Sequence, residues 1–409
     1  MLTEKQMQQR EIFIYDAVRT PRGLGKSQGA LQEIKPVQLL SNTILAITNR
    51  CGGIRDYIDD IIIGCMTPVG EQGGDIARAA ALFSGLPFSC PGLQVNRFCS
   101  SSLESVQIAA SKIMAGWDEL ILAGGIESFS RVPEGSDGGA MMFDPDVRAK
   151  VNFIPRNVSA DLLATLEGYS REMIDAHALN MHQRALTTIN DVPFYESILP
   201  VYDINGLPVL SKNECFKNNV NLEWLASLPP MATDSEDKGY DVMATLRYPQ
   251  IEDVNHVHTI GNAAPLADGA AMLLIGSKEI GQKLGLKPKA KILSAAVIGV
   301  EPTLMLQGAP IAAKKALKIA GLTSKDIEIW ESNEHFAAVG LKFLQDMSLH
   351  SDMVNIYGSD IAWGYAAGAM GAIAIGTVLD GLVQQDKTLG AVAICARSGM
   401  SSSIIIERC

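Results

Sequence analysis

The chain has 409 residues, of which 47% are hydrophobic and 19% charged, a globular composition long enough for two or three core-bearing units. Its net charge of −11 argues against nonspecific nucleic-acid binding, and any anionic ligand must meet a local basic site. Apolar runs fall short of the roughly 20 residues a spanning helix needs, and the polar, mixed-charge start with Glu4 and Glu11 lacks the apolar stretch of an export signal, so a cytoplasmic protein without membrane insertion is expected.

Residues 11–18 read as a buried strand ended by Arg19-Thr20-Pro21. A helix follows over 35–50, a strand over 57–64 and a helix over 73–85. A short strand, 93–98, runs into a helix in which Leu103, Val106, Ala110 and Ile113 share one face. Residues 119–124 form the next strand, and the alternation predicts an α/β fold with a mixed or parallel sheet. From about 131 to 250 the chain is richer in Pro, Asn, Asp and Met, with helical pieces at 159–167 and 170–188, and reads as an inserted loop domain. Strand and helix alternate again: 291–300, 309–320, 326–332, 334–347, a Gly/Ala-rich turn and helix over 358–382, and a closing strand pair at 389–399 and 401–408. The order of elements in the two ends is alike, which supports an internal duplication with Cys99 and Tyr365 at matching places. The expected units are an N-terminal half over 1–130 completed by 251–276, a loop domain over 131–250, and a C-terminal half over 277–409.

Cys51, Cys65, Cys90, Cys99, Cys215, Cys395 and Cys409 show no paired spacing, so neither a disulfide framework nor a metal site is expected. Cys99 lies where a strand meets a helix, and the free N–H groups of a helix start favour a thiolate, a nucleophile that can hold an acyl group. On position alone, a buried packing cysteine is the favoured reading. The clusters Gly23/Gly25 and Gly70/Gly73/Gly74 do not open a helix after a strand, so no dinucleotide site is indicated.

The segment QVNRFCSSSLESVQIAA resembles the nucleophile segment of the thiolase superfamily, N-R-x-C-x-S. FIYDAVRTPRG, LILAGGIESFSRVP, SADLLATLEGYSRE, GNAAPLADGAA, SNEHFAAV and ICARSGMSSSIIIER resemble further motifs of that family, in the family's order and over essentially the whole chain. The resemblance implies a five-layer αβαβα fold from two similar halves. It implies an acyl-CoA C-acyltransferase of the acetyl-CoA acetyltransferase or 3-ketoacyl-CoA thiolase type, active in lipid metabolism and assembled as a homodimer or tetramer. CoA thioesters are its substrates, with no metal or organic cofactor. By the same resemblance Cys99 is the nucleophile, Cys395 the general acid/base and Asn333 the residue orienting an oxyanion-hole water.

The departures cluster at the site. Tyr365 stands where the family has the His of G-G-A-I-A-x-G-H-P, and Ala366 replaces the Pro. Arg397 replaces a Gly whose N–H faces the thioester, and Ala264 replaces a Ser. A phenol, with a pKa near 10, is a poor base at neutral pH, and general-base assistance is typically worth about 10²–10⁴-fold. His335, in place of an Ala, is a substitute imidazole or an unrelated helix-face residue; His256 and His258 read as structural. Arg397 either meets a CoA phosphate or a substrate carboxylate, or fills the space of the glycine. Three readings follow: an acyltransferase with altered site chemistry, a silent homologue that binds acyl-CoA or a partner, and a decarboxylating condensing enzyme, which lacks its usual His pair here.

Overall fold

The computed structural model describes residues 10–191, 197–203, 205–232 and 235–409; residues 1–9, on which part of the no-leader expectation rests, lie outside them. The strands are β1 (Ile12–Arg19), β2 (Gly23–Leu24), β3 (Asp60–Cys65), β4 (Leu93–Val95), β5 (Leu120–Glu127), β6 (Val201–Tyr202), β7 (Pro208–Leu210), β8 (Ala267–Ser277), β9 (Ala290–Gly299), β10 (Ile329–Ser332), β11 (Leu389–Ala396) and β12 (Met400–Arg408). The helices are α1 (Pro36–Arg50), α2 (Ile76–Phe83), α3 (Ser101–Met114), α4 (Ala140–Phe143), α5 (Pro145–Val151), α6 (Arg156–Glu167), α7 (Arg171–Asp191), α8 (Leu222–Ser227), α9 (Ser235–Arg247), α10 (Lys278–Leu284), α11 (Gly308–Ala320), α12 (Ala337–Met347), α13 (Asp360–Trp363) and α14 (Met370–Gln384).

One sheet runs β10-β11-β12-β9-β1-β8-β5-β3-β4, with β2 on β8 and a separate β6-β7 pair. The two halves repeat one plan. β1 pairs antiparallel with β8, β8 antiparallel with β5, and β5 parallel with β3. Likewise β9 pairs antiparallel with β12, β12 antiparallel with β11, and β11 parallel with β10. The halves meet where Phe13 and Ile14 pair with Lys291 and Ala290.

Side-chain alternation divides the apolar runs among three cores. Ile62, Val392, Ile404 and Ile406 face a central core shared with α3 and α14. Ile61 and Ile63 face an outer core under α1 and α2. Ile405, Ala391 and Ala393 face a second outer core with α6, α11 and α12. The two halves of the sheet both pack on α3 and α14, which gives helix, half-sheet, helix, half-sheet, helix: five layers. Each fully buried Ile or Leu contributes roughly 1.5–3 kcal/mol of transfer free energy. Two glycines set the central layer. A Cβ on Gly64 would run into the Ser101–Ser102 backbone, and one on Gly371 into Leu103, so α3 sits directly on β3 and on α14. The stretch 367–384 is long and apolar enough to cross a membrane, yet it is mostly buried as a core element.

Two of the boundaries that differ from the sequence reading lie beside the site. The strand expected over 93–98 stops at Val95, because Asn96 Oδ1 accepts from Phe98 N–H at 2.8 Å and bends the chain. The helix expected from 334 starts at Ala337, because the preceding residues are extended: Phe336 bridges Ala263, and His335 C=O accepts from Ala264 N–H at 2.8 Å.

Candidate active site

Cys99 is presented by a strained elbow. Phe98 has φ 47°, a left-handed conformation that bulky residues rarely adopt. The three serines that follow hold the elbow in place. Ser101 Oγ accepts from Arg97 N–H at 2.9 Å and donates to Phe98 C=O at 2.5 Å. Ser100 Oγ donates to Ile394 C=O at 3.3 Å, and Ser102 Oγ accepts from Ala372 N–H at 3.0 Å. The nucleophile loop is thereby tied to β11 and to α14, both from the other half.

Tyr365 reaches the same point from the α13–α14 turn. Its N–H donates to Pro265 C=O at 2.8 Å, and its C=O accepts from Ala267 N–H at 3.1 Å, so the GNAAPLADGAA segment fixes it. The Tyr365 hydroxyl lies beside the Cys99 thiol, where it favours the thiolate. Asn333 binds the backbone of Cys395 and donates from Nδ2 to the Tyr365 hydroxyl at 3.2 Å. Both Nδ2 hydrogens of Asn333 are therefore engaged, and the Tyr365 hydroxyl stands between that amide and Cys99. The Arg397 backbone also lies near the Cys99 sulfur, and its N–H favours the thiolate.

The site is closed and short of charge-stabilising water. Cys99 is 6% exposed, Cys395 1%, Tyr365 1% and His335 6%. Burial pushes the Cys99 thiol above its ordinary value; the Tyr365 hydroxyl and the charges of Arg156 and Arg397 oppose this without reversing it. The sequence expectation of a favoured thiolate is corrected here: Cys99 precedes the first turn of α3, and desolvation outweighs the helix start. Cys395 is raised further, by burial and then by Cys99. Burial and Cys99 also raise Tyr365 well above a free phenol.

His335 packs edge-on to the Tyr365 ring at 4.4 Å, and its buried Nδ1 has no hydrogen-bond partner. Burial, then Arg156 and Arg397, hold it well below 6.5, so it stays neutral. His256 and His258 are elsewhere. Their Nδ1 atoms bind Asp161 at 2.8 and 2.7 Å, and Asp161 is the acid of the SADLLA motif. Glu127, of the AGGIES motif, accepts from Met66, Thr67, Gln72 and Gly368, and burial raises it to about 7. These two motifs are scaffold.

Sequence reasoning missed Arg156 and Glu134. Glu134 takes both Nη groups of Arg156 and also binds Arg397 Nη2 at 2.5 Å. Isolated charges 22 and 263 positions apart leave no local pattern to find. Asn333 also lines a cavity of about 440 Å³ with Arg22, Glu331, Ser359, Asp360 and Trp363.

The chain matches the family described as "Thiolase, N-terminal domain" over residues 12–239 and "Thiolase, C-terminal domain" over 286–408. The chain belongs to the thiolase family. It is 32% identical to the 3-ketoacyl-CoA thiolase of Bacillus subtilis (strain 168), covering 98% of this chain and 100% of the relative. It is 34% identical to the 3-ketoacyl-CoA thiolase FadA of Escherichia coli (strain K12), covering 97% and 99%. The crystal structure of the Bacillus anthracis acetyl-CoA acetyltransferase superposes with a TM-score of 0.84 at 28% identity, covering 98% of this chain and 99% of that one. Fold and element order are thus those of a thiolase.

Proposed function

We propose that this thiolase-family chain is an acyl-CoA C-acyltransferase that carries the acyl group on Cys99. The observation that supports it most is the burial of Cys99 and Tyr365 in one cluster, with Asn333 hydrogen-bonded to both the Tyr365 hydroxyl and the Cys395 backbone. Cys99 Sγ attacks the thioester carbonyl. A C–S bond to Cys99 forms, the C–S bond to CoA breaks, and the Cys99 proton ends on the CoA sulfur. With a 3-ketoacyl-CoA the sulfur attacks the 3-keto carbonyl instead: the C2–C3 bond breaks, the Cys99 proton ends on the leaving carbon to give acetyl-CoA, and a CoA thiol then takes the acyl group and leaves its proton on Cys99. A carbon acceptor, the α-carbon of acetyl-CoA, must first lose a proton; Cys395, once ionised, holds it and returns it to Cys99 as the acyl–sulfur bond breaks. Arg397 N–H is the donor for the developing oxyanion. Neutral His335, weakened as a base by two guanidinium groups, serves as a hydrogen-bonding group.

We further propose a cytoplasmic homo-oligomer acting on CoA thioesters without metal or organic cofactor. Seven free thiols suit a reducing compartment. Edge strand β4, with exposed Leu93 and nearby Phe83 (62%) and Phe88 (89%), suits burial against a second copy.

The test is turnover. The purified chain is given acetoacetyl-CoA with CoA, and acetyl-CoA alone, beside Cys99→Ala. CoA-dependent cleavage lost in the variant supports the reading. Binding of CoA thioesters without cleavage or condensation overturns it and leaves a binding homologue.

A further inference from the structure

We infer that the acyl group accepted at Cys99 carries a carboxylate of its own, held by Arg397 and Arg156; the substrate class is the CoA thioester of a dicarboxylic acid. This rests on the acyltransferase reading above and goes beyond it, by assigning a charge to the acyl chain.

The charges beside the nucleophile do not balance. Two guanidinium groups share one carboxylate, that of Glu134. Arg156 takes it with both Nη groups, and Arg397 has only Nη2 on Oε1. Among the described residues, the other end of Arg397, Nη1, has as its hydrogen-bond acceptor the Met142 thioether at 3.5 Å, a weak acceptor for a strong donor. The Arg397 side chain is 9% exposed, so water does little to make up the difference. Burying a charge without a full partner is expensive, and structures keep such groups where a ligand completes them.

No other group at Cys99 supplies the missing negative charge. Cys99, Cys395 and Tyr365 are kept in their neutral forms by burial, and His335 is kept neutral as well. Asp360, whose charge also acts on Tyr365 and Cys395, is paired with Arg22 at 2.9 Å. The described groups around the nucleophile therefore sum to one positive charge.

Position then selects the acyl group over the CoA phosphates. The Arg397 backbone lies near the sulfur that bears the thioester, so this side chain departs from beside the reacting carbon. Its guanidinium lies 5.6 Å from the ring centre of Phe98, the residue before the nucleophile. The whole pantetheine arm separates that point from the diphosphate of CoA. A planar fork suits a carboxylate, which it can bind through two parallel hydrogen bonds.

A competing use of the same charge is to balance the Cys99 thiolate, which would speed acylation without discriminating between acyl chains. The two uses separate in one experiment. The full-length protein is offered three matched pairs of thioesters: succinyl- and butyryl-CoA, glutaryl- and pentanoyl-CoA, adipyl- and hexanoyl-CoA. The rate of adduct formation on the Cys99 peptide is read by mass spectrometry. The expected result is a preference of about ten-fold or more for the dicarboxylic member of at least one pair. Arg397→Gly and, separately, Arg156→Met should bring that ratio to one or below; if either variant fails to fold, the wild-type ratios still decide. Adducts that form equally fast or faster with the uncharged member of every pair overturn the inference and leave the acyltransferase reading standing. No Cys99 adduct from any of the six thioesters overturns both.

Discussion

Asn333 grips the backbone of Cys395 from both sides: its Oδ1 accepts from Cys395 N–H at 2.8 Å and its Nδ2 donates to Cys395 C=O at 2.9 Å. Its second Nδ2 hydrogen goes to Tyr365. The residue thus fixes the second cysteine at the end of β11 and steers the phenol toward the first. Asn333→Ala leaves two buried backbone groups unpaired at roughly 1–3 kcal/mol each, so a loss of about 2–6 kcal/mol is expected in urea unfolding. A loss below about 0.5 kcal/mol would show that water replaces the amide.

The ionisation of Cys99 gives a pH signature. Burial raises its folded pKa, so the thiol is neutral at pH 7. Alkylation of the Cys99 peptide by iodoacetamide should climb with pH through about 8.5, the ordinary thiol value, without levelling there. The linked stability has the matching sign. The unfolded thiol ionises first, so this contribution is complete below about 8.5 and is lost as pH rises toward the folded value. A plateau in alkylation below pH 8 would mean that Arg156 and Arg397 win over desolvation.

Tyr365 should limit the acylation rate. Tyr365→Phe removes the hydroxyl that favours the Cys99 thiolate and is expected to slow acylation about ten-fold at neutral pH. Tyr365→His restores an imidazole and should speed it by roughly 10²-fold, the low end of general-base assistance. Quench-flow measurement of the acyl-enzyme checks both. An unchanged rate in the His variant would place the limit in site closure.

The Arg22–Asp360 pair underlies the Tyr365 turn. Arg22 Nη1 donates to Asp360 at 2.9 Å and to Gly364 C=O at 2.6 Å, and Asp360 accepts from Glu334 N–H at 3.2 Å. Asp360 occupies the Ala position of the family's G-G-A-I-A pattern. Asp360→Ala alone strands a buried guanidinium and should cost about 3–5 kcal/mol. Arg22→Met with Asp360→Ala should recover most of it, as a double-mutant cycle in urea would read. Additive losses would show that the two residues act independently.

Much of this arrangement was legible in the chain. Period-two alternation in IIIGC and SSSIIIER, helical spacing after Cys99, and the repeated order of elements foretell the layers and the duplication. Cys99, Cys395, Asn333 and Tyr365 sit together as motif order implies. Two features were not legible. The sign of the Cys99 shift depends on how deeply the elbow is buried, which no local pattern encodes. The Arg156–Glu134–Arg397 cluster joins three segments that only the tertiary fold brings together; Arg397 stood out as a substituted glycine, but its partners carried no mark.

The most direct test of the central claim is the mass of the Cys99 peptide after the protein is mixed with a 3-ketoacyl-CoA and CoA and quenched within one turnover. The account expects an acyl group on Cys99 alone, absent in Cys99→Ala and discharged by added CoA. An unmodified Cys99 in a protein that still turns over, or an acyl group on another cysteine, would contradict it.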